Sequence, residues 1–107
     1  MLTTPMPGAR DRMKTIAKNT TVVAIKDQVS CNLDQEAVVL HLGKGMYYGL
    51  NPVGATIWNA LQQPRKVEEI HRLILAEYEV EPEPSEKDLV RLLQDLAEAG
   101  LIEVQDG

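Results

Sequence analysis

Cys31, His41 and His71 are the side chains best suited to chemistry, because a thiol that attacks and an imidazole that takes its proton form the pair acyl transfer needs. No positioning motif surrounds them. Cys31 sits in an extended stretch between Ser30 and Asn32, His41 alternates outward between Leu40 and Leu42, and His71 falls on the polar side of a helix. No second ligand stands at metal-binding spacing, and no glycine loop is built to cradle phosphate. The expectation is a protein that is not an enzyme and that uses neither metal nor cofactor.

Composition points the same way. The 107 residues are 44% hydrophobic and carry a net charge of −5, which fits one globular domain with a single core. Apolar runs are far shorter than the roughly 20 residues that span a bilayer, and the start does not resemble a secretion signal. A cytoplasmic protein with no membrane partner is expected. Residues 1–65 carry 7 basic and 4 acidic side chains, whereas residues 66–107 carry 4 and 12. The basic excess gathers in Arg10, Arg12, Lys14, Lys18 and Lys26, among Pro5, Pro7 and Gly8, so residues 1–19 read as a flexible basic tail and 20–105 as one folded domain.

Along that domain, Thr20 to Ile25 is β-branched and predicts a strand, followed by strands at Gln28 to Leu33 and Glu36 to Leu42. In the last of these Val38, Leu40 and Leu42 share a face. Gly43, Lys44 and Gly45 supply the positive-φ positions of a tight reversal into Met46 to Leu50. Asn51 and Pro52 then open a first helix, with Val53, Ile57, Trp58 and Leu61 on its apolar side and Pro64 beyond its end. A second runs from about Lys66 to Tyr78, burying Val67, Ile70, Leu73, Ile74 and Tyr78. Ser85 with Asp88 predicts a capping box opening a third helix, which ends at Gly100. Leu101 to Val104 reads as a short extended segment. The order predicts an α+β, winged-helix-like fold: a three-stranded antiparallel sheet followed by three helices.

Strand Met46 to Leu50 comes last in the meander and so falls at its edge. Edges are normally blunted by charge or proline. This one offers Met46, Tyr47, Tyr48, Gly49 and Leu50, which favours addition of a guest strand.

The segments QVSCNL, EAVVLHLGKGMYYGLNPVGATIWNAL, VEEIHRLILAEYEV and SEKDLVRLLQDLAEAGLIEV resemble the PqqD-like peptide-modification chaperones, the recognition elements of ribosomally made, modified peptides. The likeness spans roughly residues 27–104 and is strongest in YYGLNPVGATIW. It is nearest to the stand-alone leader-binding proteins of lasso-peptide pathways. Where relatives that serve radical SAM enzymes often have an Asp and Gly turn, this chain has Gln62, Gln63 and Pro64. The resemblance implies a winged-helix-like fold that takes a precursor leader beside strand 46–50, in a groove walled by the third helix. It also implies delivery to a leader peptidase of the transglutaminase-like cysteine protease type and to a lasso cyclase.

On that helix, Leu89, Leu92 and Leu96 are expected to hold the core. Val90, Leu93 and Ala97, with Tyr47, are the candidates for the groove floor, and Arg91 and Gln94 for its rim. A winged-helix DNA regulator is the principal alternative, but Glu86, Asp88, Asp95 and Glu98 outnumber Lys87 and Arg91 on the helix that would meet phosphate, so no nucleic-acid partner is expected. A chaperone for a radical SAM peptide-modifying enzyme is the other.

Overall fold

A computed structural model describes residues 16–105. The order is β1 (Thr21–Ala24), β2 (Gln28–Leu33), β3 (Glu36–His41), β4 (Met46–Leu50), α1 (Pro52–Ala60), β5 (Arg65–Lys66), α2 (Val67–Glu77), α3 (Pro82–Glu98) and β6 (Ile102–Gln105). Most of the expected basic tail, residues 1–15, lies outside the described residues. Ile16 belongs to the core, at 6% exposure.

The expected α+β architecture is present: β2, β3 and β4 form an antiparallel meander in that order, and three helices follow. A second sheet, ordered β5-β1-β6, joins segments distant in the sequence. Its β1–β6 register runs from Thr21 opposite Gln105 to Ala24 opposite Ile102. The two-residue β5 has no hydrophobic pattern to announce it. It forms because β1 supplies the pairing, Thr21 to Lys66 and Val22 to Arg65.

The meander buries the parity opposite to the one anticipated. Ala37 and Val39 are fully buried, whereas Leu42 is exposed and Val38 and Leu40 are half-buried. Both parities of this strand are apolar, so alternation defines two faces without saying which one meets the helices. His41 therefore shares the face of Val39, and its Nδ1 accepts from the Lys44 amide at 3.2 Å. Of the two glycines in the reversal, only Gly45 takes a positive φ, 67°.

Asn51 caps α1 as anticipated: its side chain accepts from the Gly54 amide at 2.8 Å and Pro52 occupies the first turn. Helix α2 begins where Glu69 accepts from the Lys66 amide at 2.9 Å. Its first free amides donate to earlier backbone, Val67 to the Thr20 carbonyl and Glu68 to the Lys18 carbonyl. Leu73, expected in the core, is 41% exposed; Val67, Ile70 and Ile74 carry the buried stripe.

Helix α3 starts at Pro82, three residues before the expected cap, and Pro84 lies within its first turn. Both prolines fit there, because first-turn amides have no intrahelical acceptor to lose. Ser85 is thus helical, and its Oγ donates to the Pro82 carbonyl at 3.1 Å. The far end closes as expected, with Gly100 at φ 78°, Leu101 N–H donating to the Leu96 carbonyl at 2.9 Å and Gly100 N–H to the Ala97 carbonyl at 3.0 Å. Trp58, Leu61, Ile70, Leu89, Leu93 and Leu101 fill the core between the two sheets and the helices.

Candidate functional site: an open strand edge beside an apolar groove

Among the described residues β4 pairs with β3 alone, so it is an edge strand of its sheet. In an antiparallel ladder alternate residues bond to one neighbour and aim their N–H and C=O groups the other way, leaving β4 a row of such groups for another strand. Tyr47 is 72% exposed and Met46 53%, and a Cβ built on Gly49 would meet nothing within 4 Å. Among the described residues nothing crowds this edge at Gly49.

A groove of about 440 Å³ opens where β4 ends. Gly49 and Leu50 form its strand side, Val53 and Ile57 of α1 and Ile74 of α2 its floor, and Leu89 and Leu92 of α3 the far wall. The size falls in the ordinary range for small-ligand sites, about 300 to 1,000 Å³. Two local features keep it open. Gly54 lets α1 approach β4, since a Cβ there would meet Asn51 Oδ1 at 3.2 Å and Leu50 Cβ at 3.3 Å. Tyr78, at the groove's α2 end, is held by a 2.8 Å hydrogen bond between its hydroxyl and Thr56 Oγ1.

The sequence-derived candidates separate. Met46 through Leu50 are together on the edge strand. Leu93 is fully buried in the core and Ala97 packs half-buried against it. Val90, Arg91 and Gln94 line a shallow depression with Glu83, Glu86 and Lys87, on a side of α3 turned away from Leu92. Leu92, assigned to the core from sequence, instead faces the groove. The ambiguity is geometric: Leu89, Leu92 and Leu96 satisfy helical spacing as well as Leu89, Leu93 and Leu96 do, and two adjacent leucines exchange roles with a modest rotation of the helix. Groove residues Val53, Ile74, Val80 and Asp88 were not singled out as site residues, because each reads equally well as ordinary packing or solvent-facing polarity.

The three reactive side chains do not converge on a site. Cys31 is exposed on the outward face of the meander, in the row of Val38 and Gly49, while His41 occupies the opposite face. His71 Nε2 lies 2.9 Å from Ser85 Oγ and ties α2 to the first turn of α3. Among the described residues no group of three or more His, Cys, Asp or Glu side chains is placed to hold a metal, and no helix is long and apolar enough to cross a membrane.

The outward face of the meander is itself apolar. Val29, Leu40 and Tyr47 form one cross-strand row and Cys31, Val38 and Gly49 the next, with Leu33 beyond them and no charge in either full row. Val29 and Leu33 are each 55% exposed.

An antiparallel meander with an edge strand, an adjoining groove and three helices behind it define a winged-helix-like module, and residues 36–102 match the family described as Coenzyme PQQ synthesis protein D. The chain belongs to the PqqD family. Among solved structures it is similar to "TbiB1 in Complex with the TbiA(beta) Leader Peptide", at 41% identity and TM-score 0.71, over 76% of this chain and 94% of that one. It is also similar to "Lasso peptide synthetase B1 complexed with the leader peptide", at 26% identity and TM-score 0.67, over 77% and 96% of the two chains. No curated protein matches.

Proposed function

We propose that this chain binds the leader of a ribosomal precursor peptide and hands it to the enzymes of lasso-peptide maturation. The observation that carries the reading is the coincidence of an open β4 edge with a groove beginning at Gly49 and Leu50. Both structural relatives named above are complexes with leader peptides, which supports the same role here.

Energetics assign each half of the site its task. Ordering a disordered leader costs about 1–2 kcal/mol per residue, and each backbone hydrogen bond returns about 0.5–1.5 kcal/mol. Pairing along β4 therefore roughly breaks even and sets register and direction. Net affinity comes from leader side chains in the groove, at about 1.5–3 kcal/mol for each apolar side chain fully buried. The contacts we propose are the backbone of Met46, Tyr47, Tyr48, Gly49 and Leu50, together with Val53, Ile57, Ile74, Leu89 and Leu92. Leu93 and Ala97 support the groove wall from behind, and Arg91 and Gln94 lie outside the contact set.

Delivery to a leader peptidase and a cyclase needs a surface that an enzyme can grip while the leader is bound. The outward meander face suits this, because a strand added to β4 would extend it sideways and a partner would meet both chains at once.

Fluorescence polarisation with labelled lasso-precursor leaders, the TbiA(β) leader among them, tests the proposal. Saturable binding that Gly49→Pro abolishes while far-ultraviolet circular dichroism stays native is the expected result. Failure of every leader to bind, or binding indifferent to Gly49→Pro, overturns it.

A further inference from the structure

We infer that Asp88 makes the groove selective for a leader that places a lysine or arginine beside the end of β4. The inference rests on the groove being the leader site and adds the chemistry of one of its residues. Among the described residues that line the groove, Asp88 contributes the one carboxylate and the one charge. Along α3 it stands a turn before Leu92 and next to the buried Leu89, and it is itself exposed, so it sits at the mouth rather than on the floor.

Asp88 makes no ion pair or hydrogen bond among the described residues. The two cations of α3, Lys87 and Arg91, line the depression with Glu83 and Glu86 and not the groove; Arg91, one turn on from Asp88, is the nearer of them on the helix surface. Ser85, the other polar side chain of that wall, is already engaged, its Oγ donating to the Pro82 carbonyl and lying 2.9 Å from His71 Nε2. Ser85 thus has no proton to offer a ligand, and Asp88 is left as an acceptor awaiting a cation.

A long basic side chain fits the surroundings. Its aliphatic stem can lie against Leu92 and Val80 while its charged head stays in water beside the carboxylate, the usual compromise of lysine and arginine at an apolar rim. A leader carboxylate at the same place meets repulsion from Asp88, which salt screens.

The test is a charge-exchange experiment on the full chain. Labelled TbiA(β) leader is scanned by anisotropy with each residue replaced in turn by lysine and by glutamate, against the native protein, Asp88→Asn and Asp88→Lys. One peptide position should favour lysine over glutamate by roughly fivefold on the native protein, the size usual for an exposed ion pair. Asp88→Asn should level that ratio, Asp88→Lys should invert it, and about 0.5 M salt should shrink it. Peptides that bind but show no position whose lysine-to-glutamate ratio responds to residue 88 overturn the inference and leave the leader reading standing. Absence of saturable binding by any peptide overturns both.

Discussion

The ammonium of Lys44 donates to the Ala99 carbonyl across 2.8 Å, so the β3–β4 reversal is fastened to the last turn of α3. The two elements that bound the candidate site are thereby joined at the end remote from the groove, by a cation placed where the helix dipole favours one. Replacing Lys44 with alanine should cost about 0.3–1 kcal/mol in urea unfolding, with a smaller loss of leader affinity than a change in the groove itself. Equal stability of Lys44→Ala and the native chain would show that the contact does not hold the hairpin.

Gly100 closes the same corner from the helix side. Its φ of 78° is one that side-chain-bearing residues adopt at a cost, and a Cβ there would also press on Lys44 Nζ at 3.3 Å and His41 Nε2 at 3.4 Å. Gly100→Ala should lose about 1–2 kcal/mol of stability, measured by thermal or urea unfolding.

Leu92 and Leu93 should respond in opposite ways. Leu93→Ala empties a fully buried site and should cost about 2–5 kcal/mol of folding stability. Leu92→Glu puts a charge into the groove instead, so it should leave the unfolding midpoint little changed while leader affinity falls at least tenfold, about 1.4 kcal/mol. The pair of measurements, unfolding and binding on both variants, assigns each leucine to its side of the helix.

Asn51→Ala removes the side-chain acceptor that caps α1 and should cost about 1 kcal/mol, whereas Asn51→Asp keeps an acceptor and should cost less. Since Asn51 also lines the groove, the alanine variant is expected to weaken leader binding in proportion to its destabilisation.

These sites illustrate which parts of the molecule are legible in its sequence. Local rules were sufficient where one residue determines the backbone: Asn51 and Pro52 start a helix, Gly100 ends one, and Gln28 to Leu33 and Met46 to Leu50 bound strands that the fold reproduces. Local rules failed where a distant segment decides. β5 exists only because β1 pairs with it, and the buried parity of β3 depends on where the helices pack against a strand apolar on both faces. α3 starts three residues before the capping box expected at Ser85 because Pro82 and Pro84 are compatible with a first turn. The edge strand of the site was therefore readable, and the groove beside it was not, since its lining comes from β4 and from all three helices and no sequence window contains more than a part of it.

Amide hydrogen exchange of Met46 through Leu50, measured with and without a bound leader, tests the central claim most directly. Strand addition should slow exchange at alternate residues of β4, those whose N–H groups aim away from β3, and leave β2 unchanged. A leader that binds tightly while every β4 amide exchanges as before would contradict it.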